Sequence, residues 1–176
     1  MDRPLILLAA IFAAETAPNV APPPEMEAFS FMIGARECAG VWRRDGAEEP
    51  FSASWRGQKL LDGHLIVEEY KAWFPDGEVF VAGVNTRVFD AKNRRWSTWW
   101  LSAIDDVRFE LGQPSFSETE KGGREVVFII GEGDNLQRAT YRVAPDGRLA
   151  WSGEASADGG ATWNERVMVI NCGPAS

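Results

Sequence analysis

The chain of 176 residues carries a single histidine, His64, together with two tyrosines and two cysteines. One imidazole leaves no second histidine for zinc or iron, and no cysteines cluster at metal spacing, so no metal site is expected. A serine nucleophile would need that same histidine as its base, and no Gly-x-Ser-x-Gly elbow occurs. Positive charge is also scarce: 18 Lys and Arg against 26 Asp and Glu give a net charge of −8. That is the wrong sign for holding a phosphate backbone by counterion release, which removes nucleic acid from the expected partners. No glycine-rich loop enters a helix ahead of a lysine, so a nucleotide cradle is missing and no cofactor is expected.

Long apolar runs are absent as well. Leu5 to Ala14 is uncharged and apolar, yet too short for a bilayer, which takes ~20 residues, and a polar, proline-rich stretch from Glu15 to Glu25 follows it. Residues 1–25 read as a secretory signal and linker, and 26–176 as one domain, which predicts a periplasmic or secreted protein. No cysteine follows the apolar run, so no lipid anchor or other stable membrane anchor is expected. Cys38 and Cys172 lie 134 positions apart. If the first and last strands pair, these two could meet and bond in an oxidising compartment; two separate buried thiols are the alternative.

What the chain does have is aromatic bulk and regular punctuation. Eight Trp and ten Phe favour binding over proton transfer. Turn signals recur at Pro75-Asp76-Gly77, Asp90-Ala91-Lys92-Asn93, Gly122-Gly123, Gly133-Asp134-Asn135, Pro145-Asp146-Gly147 and Ser156 to Trp163. Alternating apolar and polar residues between them predict strands over 36–44, 50–57, 63–74, 78–89, 94–103, 107–111, 115–120, 124–132, 136–144, 148–157 and 161–171. The pair around Gly112-Gln113-Pro114 is the weakest, since proline donates nothing to a ladder. Residues 25–32 predict a short helix with Met26, Phe29 and Met32 on one side, placed to plug one end. Strands in simple sequence order predict an all-β, antiparallel, up-and-down closed barrel of about eight to ten strands, enclosing a side-chain core or a ligand pocket.

Parity then assigns faces. Over 64–72, His64, Ile66, Glu68, Tyr70 and Ala72 share one side, so Glu68 and Glu69 point in opposite directions. Trp96, Thr98 and Trp100 oppose Ser97, Trp99 and Leu101, which puts tryptophan on both faces. The segment Ser156-x-Asp158-x-Gly160-x-Thr162-Trp163 matches the Asp-box pattern, a hairpin device of propeller proteins, and reads as a rigid turn. A two-residue loop there would oppose Glu154 to Glu165; one more residue opposes it to Arg166, and the longer loop is predicted.

Gly34, Gly40-Val41-Trp42, Leu61-Asp62-Gly63-His64-Leu65-Ile66-Val67-Glu68, the Phe89-Asp90 turn followed by Trp96, and the Ser156 to Trp163 segment together resemble a bacterial domain family of unknown function with a lipocalin-like, calycin-type barrel. The resemblance spans about residues 28–172 and implies a hydrophobic or amphipathic small molecule in the lumen. Two departures stand out. Arg36 occupies the place where that family tends to carry tryptophan at the barrel base, which leaves Trp42 as the candidate substitute. Similar haem-binding barrels use a histidine near the C-terminal strands, which this chain does not have.

Three functional readings follow. The first is binding of a small hydrophobic or amphipathic ligand, with Trp55, Tyr70, Trp100 and Tyr141 as lining residues and Arg87 available to an anionic group. The second is an isomerase, cyclase or hydratase moving a proton with His64, Glu68 and Tyr70. The third is an assembly module with an outer aromatic patch of Trp73 and Trp99, which predicts a homodimer.

Overall fold

A computed structural model describes residues 20–44, 46–164 and 167–176. Residues 1–19 of the signal and linker reading of 1–25, and the pairing of Glu154 with Glu165 or Arg166, therefore lie outside the described residues. The fold is all-β. Eleven strands run β1 (Gly34–Arg44), β2 (Ala47–Leu60), β3 (Leu65–Trp73), β4 (Val79–Asp90), β5 (Arg95–Ser102), β6 (Arg108–Glu110), β7 (Ser115–Glu118), β8 (Arg124–Glu132), β9 (Asn135–Val143), β10 (Leu149–Ser156) and β11 (Met168–Cys172). No helix among the described residues is long and apolar enough to cross a membrane.

The turns close as their residues dictate. At Pro75-Asp76-Gly77 the Gly77 N–H donates to the Phe74 carbonyl and the Glu78 N–H to Asp76; Pro145-Asp146-Gly147 repeats both bonds with Ala144 and Arg148. Between β4 and β5, Asp90 accepts from the backbone of Lys92 and Asn93. Such side-chain acceptors substitute for the missing ladder and stop the strand.

All eleven strands form one antiparallel sheet in the order β6-β5-β4-β3-β2-β1-β11-β10-β9-β8-β7. The first and last of these strands meet in the middle of the sheet, where β1 pairs with β11 and Cys38 stands opposite Cys172. Their sulfurs are bonded across that register. The sheet curls into a barrel-like half-barrel but does not close, which corrects the closed barrel expected from the sequence: β6 and β7 are its two edges. The physical reason lies in Leu111 to Pro114. Leu111 donates to the Thr98 carbonyl, and the Gln113 amide accepts from the Trp96 N–H at 2.8 Å and donates to the Trp96 carbonyl at 2.7 Å. A side chain thus takes the place of a neighbouring strand, and Pro114 has no N–H with which to continue pairing.

A 3-10 helix over Pro24–Met32 plugs one end, burying Met26, Phe29 and Met32. Phe29 stands edge-on to Trp96 with ring centroids 4.8 Å apart. Beside the plug, the buried Arg36 donates to the carbonyls of Gly147, Gly173 and Phe31 at 2.6–2.8 Å. This guanidinium ties together the plug, the β9–β10 turn and the C-terminal segment. Trp42 does not substitute at the base: it lies toward the opposite end, stacked on Phe80 and Phe74.

Candidate functional site: an aromatic-walled cavity

The inward face is set by alternation along each strand. On β3, Ile66, Glu68, Tyr70 and Ala72 are buried while Glu69 and Lys71 are exposed. Register places Trp55 of β2 beside Tyr70, and Tyr141 of β9 beside Trp151 of β10. From the two sides of the curled sheet these rings converge, with Trp55 and Tyr141 centroids 5.8 Å apart. Above them a cavity of about 330 Å³ opens toward the end away from the plug.

Two glycines keep that space from filling. A Cβ on Gly83 of β4 would meet the Trp100 ring at 2.6 Å, and one on Gly153 of β10 would meet the Trp151 ring at 2.8 Å. Each ring lies against the bare backbone of a glycine.

Beneath the floor lies an ion pair between Glu68 and Arg87, both side chains with no solvent exposure. The Arg87 guanidinium sits 4.7 Å from the Phe29 ring centre and 5.6 Å from those of Phe128 and Tyr141, and its Nη2 reaches the Tyr141 hydroxyl at 3.4 Å. Burial pushes the Glu68 carboxyl up; the Arg87 charge, with the Trp55 indole N–H and the Asn85 amide close by, pulls the other way. Neither Glu68 oxygen is aligned with a hydrogen-bond donor, and the Trp55 Nε1, Tyr70 hydroxyl and Thr98 hydroxyl are buried without an aligned partner. Burial raises the Tyr70 phenol, the Tyr141 phenol adding to it, and holds Tyr141 at about 12.

Arg138 of β9 and Glu154 of β10 alternate with Ala139 and Gly153 and so fall on the other face of the ladder, where Arg138 donates through Nε to Glu154 at 2.7 Å and lies 4.4 Å over the Trp163 ring. The Asp-box segment supplies that ring from a braced turn. Ser156 Oγ donates to Asp158, Gly160 N–H donates to Ser156 Oγ, and Thr162 donates to Asp158 through both N–H and hydroxyl. The Thr162 bonds, then that of Ser156, hold the Asp158 carboxyl down at about 2. This is the arrangement of a structural turn: its acceptors are saturated from within the turn.

The structure brings Trp55, Tyr70, Trp100 and Tyr141 together in the cavity wall. Arg87 is sealed below the floor and committed to Glu68. His64 precedes β3 and its Nε2 is bonded to the Val20 carbonyl at 2.7 Å, so the trio His64, Glu68 and Tyr70 does not converge. Trp99 is 40% exposed on the outer face, but the ladder aligns it with Thr86 and Val67, six residues along β3 from Trp73. At ~3.3 Å per residue that is roughly 20 Å, too far for one patch. Among the described residues no three His, Cys, Asp or Glu side chains are grouped as metal ligands.

Sequence reasoning missed Asn85 and Trp151 in the lining and misplaced Trp42. The signal for Trp151 was present in its alternation with Gly153. The Arg138–Glu154 pair needed the β9–β10 register, which no residue pattern supplies.

Fold and cavity together define a class: an all-β protein whose curled, barrel-like antiparallel sheet encloses an aromatic-walled pocket. No family model matches the chain, and no curated protein matches it. Among solved structures it is similar to Rv2717c from M. tuberculosis, with a TM-score of 0.64, covering 88% of this chain and 99% of that one. At 11% sequence identity this likeness shows the fold alone.

Proposed function

We propose that the protein binds a small hydrophobic or amphipathic molecule in the cavity between Trp55, Trp100 and Trp151. The observation that carries this reading is an open space of about 330 Å³ walled by indole and phenol rings, two of the indoles seated against glycine backbone. At ~30 Å³ per molecule that space would take about eleven waters, an unfavourable filling for walls this apolar. An organic molecule of similar volume recovers the contact area those rings leave open. The motif resemblance to lipocalin-like barrels points the same way, since barrels of that type take apolar small molecules in the lumen. The Cys38–Cys172 disulfide suits an oxidising compartment and supports export to the periplasm or beyond.

Native mass spectrometry of protein purified from its own source tests the proposal. The expected spectrum carries a non-covalent adduct that organic solvent releases. The bare chain mass, with no quenching of tryptophan fluorescence across a panel of lipids, pigments and metabolites, refutes it.

A further inference from the structure

We infer that the outward face of β3, β4 and β5 is the contact surface of a symmetric homodimer centred on Trp99. It does not depend on the ligand reading above. The starting point is an asymmetry in what the strands turn outward. Elsewhere on that side of the sheet, neighbouring strands carry cross-strand ion pairs: Arg43 with Glu48 between β1 and β2, Arg142 with Glu125 between β8 and β9, and Arg138 with Glu154 between β9 and β10. Polar residues are what an antiparallel sheet with one solvated face puts there. On β3 to β5 the same parity turns out Val67, Val84, Thr86, Val88, Trp99 and Leu101, which alternate with the buried Glu68, Asn85, Arg87 and Thr98. Val88, Trp99 and Leu101 are each 39–40% exposed.

The register gathers these side chains into two adjacent rows. One runs Val67, Thr86, Trp99 and Glu110 across β3, β4, β5 and β6; the other, two residues along each strand, runs Glu69, Val84, Leu101 and Arg108. Directly opposed side chains on antiparallel strands stand ~5 Å apart, so each row is continuous. An exposed apolar surface of this continuity marks a contact site. Trp99 is prepared for one: its indole N–H donates to Ser97 Oγ at 3.1 Å, so covering the ring strands no polar atom.

The occupant follows from the way the two rows complement each other. A two-fold axis lying across the strands, midway between the rows, turns each row of one copy onto the other row of the second. Trp99 then meets Leu101 of the partner subunit, Thr86 meets the partner's Val84, and on the edge strand Arg108 meets the partner's Glu110, each contact made twice by symmetry. Apolar positions at the centre with charged pairs at the rim are the anatomy of a specific interface.

Sedimentation velocity of the purified chain over a wide range of concentration is the test. A monomer–dimer equilibrium with no larger species is expected. Trp99→Ser should raise its dissociation constant at least about thirtyfold, the scale of an interfacial tryptophan anchor, with the far-UV spectrum unchanged. Arg108→Glu and Glu110→Arg should each weaken self-association about tenfold, since each opposes like charges across the axis. Mixed together, these two variants should recover association, because the acidic edge strand of one then faces the basic edge strand of the other. Glu110→Arg also removes the contact that Arg95 makes with Glu110 at 3.5 Å, but that loss lies within one chain and does not produce recovery on mixing. The mixing arm decides the question even where Trp99→Ser fails to fold. A monomer at every concentration, a dimer that survives Trp99→Ser, or charge variants that do not complement each other overturns the inference.

Discussion

Replacing Glu68 by glutamine keeps the shape of the side chain and removes its charge, which strands the Arg87 guanidinium with no solvent exposure. Breaking a buried ion pair by removing one partner costs about 3–5 kcal/mol, because the other charge is left uncompensated. Here the rings of Phe29, Phe128 and Tyr141 surround the guanidinium at 4.7–5.6 Å and recover part of this. Cation–π contacts of this kind contribute about 0.5–2 kcal/mol, so a net loss near 3 kcal/mol is expected. For a chain of this length that is a fall in melting temperature of roughly 6–12 °C. The double variant Glu68→Gln with Arg87→Met removes both charges at similar volume and should restore most of the loss, a large coupling energy in a double-mutant cycle. Urea and thermal unfolding followed by tryptophan fluorescence and far-UV circular dichroism measure all four corners. A cost below about 1 kcal/mol for Glu68→Gln, or a double variant as unstable as the sum of the singles, refutes the picture of an ionised, mutually dependent pair.

Both tyrosines are buried with phenols raised, Tyr141 to about 12 and Tyr70 also upward, so the folded protein should show no tyrosinate absorbance near pH 10, where the unfolded chain ionises. Because the fold favours the protonated phenols, their contribution to stability is complete below pH 10 and is lost as pH rises toward 12; a native titration midpoint near 10 would contradict this. Reducing the Cys38–Cys172 bond, which spans 134 residues, should cost on the order of 4–5 kcal/mol on the chain-entropy model, read as a lower urea midpoint; an unchanged midpoint refutes it. Trp100→Ala should weaken a bound ligand by up to a few kcal/mol without unfolding the sheet, since one aromatic anchor rarely carries more. His64→Ala, remote from the cavity, should leave ligand affinity unchanged in the same fluorescence titration, and a large loss would restore His64 to the site.

Much of the architecture is legible in local chemistry. Turn glycines, Asx acceptors and alternation locate the strands because those signals act over two to four residues. Parity alone separates Glu68 from Glu69 and collects Tyr70, Trp55, Trp100 and Tyr141 on inward positions. The sheet's openness is another matter: it depends on Gln113 reaching Trp96 seventeen positions away, a choice between a side-chain amide and a strand that no pattern encodes. Arg36 is a further case. A charged residue among strand positions reads as surface, yet the Phe31 carbonyl and two more from the distant Gly147 and Gly173 converge on it and make its burial tolerable. The same holds for Arg87 and Glu68, whose burial depends on each finding the other across β3 and β4.

The cavity itself is best tested by an experimental electron-density map of the protein isolated from its own source. The account predicts density for a non-protein molecule between the rings of Trp55, Trp100 and Trp151, with Trp100 still against Gly83 and Trp151 against Gly153. An interior closed by those same rings turned inward, with no space between them, would contradict it.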